Sequence, residues 1–298
     1  MNVLVVGGSG FIGRHLCEEL IDRDHNVTVL SRDPDPRNLP DGVETAAGDV
    51  TAYDLIEPAF AGQDAVYNLV ALSPLRKPPG GDERHIEVHR DGTEHCLRAA
   101  AEHDVPRFVQ QSALGADPAG DTHYIRAKGR AEGLVRDTDV DWTIVRPSVV
   151  FGDGGEFVPF TRTLTPPVLA PLPGGGKTRF QPIHVGDLVP MLADTIEDDD
   201  HVGQTYELGG PEVLTLADVA KLARRARGQS VAVLPVPMAL AGVGLTVAGS
   251  IPGFPLGRDQ YRSLKFDNTV EDNDVDAFGV SEGELTTLAA YLDVTPQI

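Results

Sequence analysis

Lysine is nearly missing from this chain. Only residues 77, 128, 177, 221 and 265 of the 298 are lysine, so twenty of the 25 basic residues are arginine, set against 45 Asp and Glu for a formal net charge of −20. A surface of that sign repels phosphate backbones and excludes a nucleic-acid binder. Acid-rich, lysine-poor surfaces suit very high salt, where the screening length falls to about 3 Å at 1 M and self-repulsion fades. The expected setting is a salty cytoplasm, such as that of a halophilic archaeon. Cysteine is scarcer still. Cys17 and Cys96 both fall in expected helices and read as buried free thiols of a reducing compartment, not as a disulfide. The opening "VLVV" lacks the basic, apolar and cleavage-site regions of a signal peptide, so a cytoplasmic location is expected.

Charge of either sign is absent from Ser230 to Gly257. Prolines 235, 237, 252 and 255 leave about 14 residues of possible helix there, where a membrane span needs about 20, so no transmembrane segment is expected. Three roles remain open for the stretch. It could pack against the main domain, or it could cover an apolar substrate pocket with Met238, Leu240, Val243, Leu245 and Val247. It could also make a peripheral membrane or protein contact through 230–257.

What is present is a globular pattern: 41% hydrophobic residues, 6% of all residues aromatic, and short apolar runs alternating with amphipathic ones. Strands are expected at "NVLVVGG", "VTVL", "VETAAGD", "DAVYNLVA", "RFVQQSA" and "DWTIVRP". Helices are expected at 11–23, 51–61, 83–103 and around "YIRAK". That order gives an α/β fold, a Rossmann-type doubly wound parallel sheet covered on both faces. After Pro147 the regularity breaks into Gly- and Pro-rich sequence. The expected division is a dinucleotide-binding domain, 1–150 with roughly 178–210, and a smaller C-terminal substrate lobe, 151–177 with 211–298.

"VLVVGGSGFIGRHL" sets Gly7, Gly10 and Gly13 between the first strand and the first helix, with Phe11 and Ile12 opening that helix. The first glycine permits the turn, the second lets backbone approach a pyrophosphate, and the third allows helix and strand to pack closely. The amides at the helix N-terminus then face the phosphate charge. The second strand ends in Ser31 and Arg32 where an NAD site usually carries Asp or Glu. A hydroxyl and a guanidinium suit a 2′-phosphate, which favours NADP(H) over NAD(H). Tyr124 and Lys128 share one helical face at i,i+4, though spacing alone leaves a surface pair as the alternative. His85 and His89, one turn apart, lack an evident third ligand, so no metal is expected.

These segments, together with "AAGDV", "NLVA", "VHRDGTEH", "QQSALGAD", "WTIVRPSVVFG", "QPIHVGDL" and "YELGGPEVLT", resemble the extended and atypical short-chain dehydrogenase/reductase superfamily. Within it the wording is similar to the branch holding the NADPH-binding accessory subunit of respiratory complex I. The resemblance implies that Asp49 and Val50 flank the adenine and that Asn68, Leu69, Val70 and Ala71 line the cofactor. It places Pro147, Ser148 and Val149 near the nicotinamide. It makes Ser112, Tyr124 and Lys128 a catalytic triad, with Ser112 holding the substrate oxygen, Tyr124 exchanging the proton and Lys128 also holding the nicotinamide ribose. His89 departs from the pattern by standing where many members have Asn. Three functions follow as alternatives. One is an NADP(H)-dependent oxidoreductase acting on an alcohol or carbonyl of an apolar small molecule. The second is a non-catalytic NADPH-binding accessory protein, and the third a nucleotide-sugar epimerase or dehydratase.

If the acidic surface is a salt adaptation, the melting temperature should climb by about 10 °C or more as KCl rises from about 0.2 M to about 3 M. A thermal-shift series with a flat or falling profile would count against it.

Overall fold

Val3 to Val6 are all fully buried, which a strand with one wet face could not achieve. A run with no polar alternation needs cover on both faces, and the chain order supplies it. The computed structural model describes residues 1–242 and 256–295; Val243, Leu245 and Val247 of the uncharged stretch lie outside the described residues.

In chain order the first elements are β1 (Asn2–Val6), α1 (Phe11–Asp22), β2 (Asn26–Ser31), β3 (Glu44–Ala47), α2 (Tyr53–Ile56), β4 (Ala65–Asn68), α3 (Gly92–Glu102), β5 (Arg107–Gln111), α4 (His123–Arg136) and β6 (Asp141–Pro147). There follow β7 (Val150–Phe151), α5 (Phe157–Leu164), β8 (Val168–Pro173), β9 (Arg179–Phe180), β10 (Ile183–His184), α6 (Val185–Glu197), β11 (Gln204–Leu208), β12 (Leu214–Thr215), α7 (Leu216–Arg225) and β13 (Val231–Val236). The chain divides into two compact units. The first holds Met1–Leu72, Asp82–Pro147 and Leu188–Tyr206; the second holds Ser73–Gly81, Ser148–Asp187 and Glu207–Ile298.

The central sheet has seven strands in the order β11-β6-β5-β4-β1-β2-β3. β1 pairs in parallel with both β2 and β4, so the winding reverses beside β1. In such sheets the crevice at the carboxyl ends of the strands flanking the reversal is where ligands bind. Leu4, Val6, Val66, Phe108 and Ile144 pack on one face with Ile56, Phe60, Cys96 and Leu97. Neighbouring residues of the same strands necessarily point the other way. There Tyr67 donates its hydroxyl to Leu192 O of α6 at 2.8 Å, satisfying a phenol with no access to water. Both cysteines are free and buried.

The helix expected over 83–103 is not α-helical throughout. It opens as a π-helical turn, Ile86–Asp91, before α3. A Cβ at Gly92 would stand 2.8 Å from Val50 Cγ2, so this helix packs against Val50 at the one position without a side chain. π-turns of this kind are frequent at functional sites.

The second unit contains more strand than its Gly- and Pro-rich sequence promised. β13 pairs in parallel with β8 along six residues, from Val231–Val168 to Val236–Pro173. Pro235 of β13 and Pro171 and Pro173 of β8 are tolerated because a two-stranded ribbon leaves one edge of each strand without ladder bonds. Ala170 and Leu172 turn inward against Ala220 of α7, while Val168, Leu169 and Leu234 stay exposed. A second cluster joins Phe151, Phe157, Val219, Leu222 and Leu288. Among the described residues, no helix is long and apolar enough to cross a membrane.

Candidate functional site

The turn after β1 is built from backbone. Gly7 adopts φ +85°, a left-handed conformation open to glycine without strain, and a side chain there would press on Val70 N at 3.1 Å. Gly7 N donates to Leu30 O at 2.8 Å and Gly10 N to Gly7 O at 2.9 Å. A Cβ at Gly13 would lie 2.6 Å from Gly8 Cα. Gly10 caps α1 without a side chain, so no capping oxygen competes for the amides of Phe11, Ile12 and Gly13. A helix start of this kind receives an anion readily.

Beside the turn lies a cleft of about 530 Å³, lined entirely by the first unit. Of the expected cofactor residues, Gly7, Gly10, Ser31, Arg32, Asp49, Val50, Leu69, Val70 and Ala71 line it. Ser9 and Ser31 share a hydroxyl hydrogen bond of 2.7 Å across the turn. Asp49 is partly buried, which pushes its carboxyl up. Hydrogen bonds from Thr51 N (3.0 Å) and Oγ1 (2.8 Å), with the charges of Arg32 and Arg84, outweigh that and hold it below the usual carboxylate range.

Sequence reading missed Ser9, Asp33, Gly48, Leu72, Arg84 and Val88, which also line the cleft. Ser9 and Gly48 sit inside motifs already singled out, so adjacency could have found them. No spacing points to Arg84, which reaches the cleft only because the chain folds back after β4. Asn68 lies behind the cleft instead, its amide donating to Thr93 Oγ1 and Gln110 Oε1, both at 3.0 Å.

A second group gathers around α4. Thr122 caps this helix by accepting from Ile125 N at 3.2 Å. A Cβ at Gly129 would lie 2.3 Å from the carbonyl carbon of Asp117, so α4 touches the loop after β5 through backbone. Lys128 is buried and donates from Nζ to Gln111 O at 2.9 Å. Burial lowers its pKa from 10.5 to about 8, against the pull of Glu132. Ser112 is buried and donates its hydroxyl to Glu132 Oε1 at 2.5 Å. Glu132 also accepts from Arg146 Nε (2.8 Å) and Nη2 (2.6 Å) and from Arg136 Nη2 (3.0 Å). Burial raises its carboxyl pKa, but these partners keep it below the ordinary value.

Tyr124 sets its ring edge-on to His85 and His89, with centroids 5.6 and 5.4 Å away. Burial pushes its phenol above the ordinary value. Among the described residues, no hydrogen bond joins Ser112, Tyr124 and Lys128 to one another. Pro147 ends β6. Ser148 and Val149 belong to the second unit, where Ser148 Oγ and Val149 N both donate to Asn268 Oδ1 at 2.9 Å.

These residues fit a dinucleotide: a side-chain-free turn at a helix start, a cleft at the switch point, and guanidinium and hydroxyl groups at its far end. Residues 7–161 match the family model described as NAD(P)H-binding. The chain is 29% identical to the mitochondrial NADH dehydrogenase [ubiquinone] 1 alpha subcomplex subunit 9 of Arabidopsis thaliana, over 90% of this chain and 71% of that protein. It is 30% identical to the chloroplastic divinyl chlorophyllide a 8-vinyl-reductase of Zea mays, over 79% of this chain and 62% of that protein. A solved nucleoside-diphosphate-sugar epimerase from Staphylococcus aureus shares the fold at a TM-score of 0.75 and 19% identity, covering 98% of this chain and 99% of that one. With its glycine turn, switch-point cleft and matched span of more than half the chain, this protein belongs to the NAD(P)H-binding family, on an extended short-chain dehydrogenase/reductase-like fold.

Proposed function

We propose that the protein is an NADP(H)-dependent oxidoreductase of the short-chain dehydrogenase type, acting on a carbonyl or alcohol of an apolar small molecule. The observation that carries this reading is the pairing, within one unit, of the nucleotide cleft with a buried Lys128 one helical turn from Tyr124. When bound, the nicotinamide supplies or takes a hydride. The protein's part is then to place an oxygen near Tyr124, whose phenol exchanges the proton. Lys128 offers donors for ribose hydroxyls, and a pKa near 8 lets it gain or lose a proton close to neutrality. Preference for NADP(H) rests on Ser31 and Arg32 in the cleft at the end of β2, where a guanidinium can meet a 2′-phosphate. An apolar substrate is supported by the exposed Val168, Leu169, Leu234 and Leu240 of the second unit. The ubiquinone and chlorophyllide in the two relatives' names agree with it.

One observation favours a second reading, a non-catalytic NADPH-binding accessory role: the hydroxyl of Ser112 is already committed to Glu132. The two readings separate on turnover. An oxidoreductase oxidises NADPH in the presence of aliphatic ketones, and Tyr124→Phe should lower that rate about 10²–10⁴-fold while leaving NADPH affinity and melting temperature nearly unchanged. NADPH copurifying at one per chain, with no turnover on ketones, quinones or UDP-sugars, would establish the accessory reading instead.

Two further outcomes follow from the same site. Arg32→Ala should weaken NADPH binding by roughly 1.5–3 kcal/mol, as for a lost hydrogen bond to a charged group, and leave NADH nearly untouched. Calorimetry showing equal affinities for the two cofactors in the unaltered protein would remove the NADP preference. Lys128 binds its proton less tightly folded (about 8) than unfolded (10.5), so it makes the chain less stable while charged. That handicap is full below pH 8 and fades as pH rises to 10.5, at up to about 1.4 kcal/mol per pH unit. Denaturant titrations should find Lys128→Met more stable than the parent chain below pH 8, with the gap closing between pH 8 and 10.5. A gap independent of pH would show that Lys128 ionises ordinarily.

A further inference from the structure

A hydroxyl has one proton to give. Ser112 gives its own to Glu132 at 2.5 Å, and Glu132 is held there as a carboxylate by Arg146 and Arg136. Turning that hydroxyl toward a substrate would take a hydrogen bond away from a buried charged group, which is costlier than losing one between neutral groups. Ser112 is therefore badly placed to hold a substrate oxygen.

His89 has the opposite condition. The residue is 2% exposed, and its Nε2 accepts the backbone N–H of Leu72 at 3.2 Å. That contact puts the imidazole proton on Nδ1, and Nδ1 is buried with no partner among the described residues. A second ring proton would set two N–H groups against each other at Leu72. Burial and the nearby Lys128 charge oppose it as well, moving His89 well below the usual histidine range. The ring is thus neutral, fixed in one tautomer and able only to donate at Nδ1. Buried donors without partners are rare in folded chains. This one lies in the π-helical turn, stacked on His85 with ring centroids 5.5 Å apart and met edge-on by the Tyr124 ring at 5.4 Å.

We propose that His89, through Nδ1–H, and not Ser112, holds the oxygen of the reacting carbonyl beside Tyr124. This rests on the oxidoreductase reading given above. The carbonyl carbon accepts a hydride supplied by NADPH, the C=O π pair moves onto the oxygen, and that oxygen takes the phenolic proton of Tyr124. The products are an alcohol, NADP⁺ and a phenolate that recovers its proton from water. His89 donates a hydrogen bond throughout and gives up no proton. The site takes a ligand whose oxygen can only accept, a ketone, aldehyde or quinone, and has no use at this atom for an ammonium, which can only donate.

The test needs a readout independent of turnover. With ¹⁵N-histidine-labelled protein loaded with NADP⁺, a dead-end complex, titration with decan-2-one should move the His89 Nδ1–H resonance downfield, assigned by its loss in His89→Phe. In NADPH-driven reduction of the same ketone, His89→Phe should lower kcat/KM by about 10²–10³-fold, as for removal of one donor to a developing oxyanion. NADPH affinity should hold within about twofold, since that binding uses other donors. His89→Asn, which keeps an amide donor, should recover at least about tenfold of the loss. Ser112→Ala should cost kcat/KM at least about tenfold less than His89→Phe while lowering the melting temperature through Glu132. A resonance that ignores saturating ketone overturns the proposal, and so does a larger loss in Ser112→Ala than in His89→Phe. A resonance that moves while the protein turns over nothing keeps the assignment of His89 and refutes the oxidoreductase reading alone.

Discussion

A side-chain carbon at Gly13 would sit 2.6 Å from Gly8 Cα and 2.7 Å from Gly7 O, so α1 is held to the end of β1 by backbone touching backbone. Everything at the carboxyl edge of the sheet follows from that closeness. Ser9 and Gly10, on the turn between β1 and α1, line the cleft, and Ser9 reaches Ser31 at 2.7 Å. Real Cβ atoms essentially never approach backbone atoms this closely, and interiors packed at crystal density have no slack to absorb the intrusion.

Electrostatics then divides the first unit into two environments. In the cleft, Arg32 and Arg84 act on a single carboxylate, Asp49, in a partly solvated setting where charges are screened and exchangeable. Around α4 the charges are buried, and each is answered locally: Glu132 by two arginines and a hydroxyl, Lys128 by one carbonyl. The contrast shows in the ionisation. Glu132 has enough donors to stay charged despite burial, whereas Lys128, with one acceptor, is brought down to about 8 by desolvation. A group left half-compensated in this way is cheap to switch near neutral pH, which suits proton chemistry better than a fully satisfied one.

The acidic composition bears on both settings. In a chain with 45 acids and 25 bases, arginines are the limiting charge, and several are spent inside hydrogen-bonded clusters. Arg23 alone binds Glu19, Asp194 and Glu197, tying α1 to α6 across one face of the sheet. Guanidinium groups do this well because five N–H donors in one plane can serve several carboxylates at once, which an ammonium on a flexible stem cannot match geometrically.

The alternation of strands and helices, the glycine turn and the shared face of Tyr124 and Lys128 were legible in the sequence because each is local. Backbone periodicity and the steric freedom of glycine act within about a dozen residues, and an i,i+4 pair is one turn of one helix. The pairing of β8 with β13, some sixty residues apart, was not legible, because prolines and short runs give no period to read. Nor was the π-turn over Ile86–Asp91, since no periodicity in the sequence marks it. The roles of Ser112 and His89 lay furthest out of reach. A motif names a hydroxyl and an imidazole but not their competitors for each proton. Glu132 stands twenty residues from Ser112 and Leu72 seventeen from His89. Which donor is spent and which is left over is settled only when separate elements meet, since a hydrogen bond depends on tenths of an ångström and a proton can be given once.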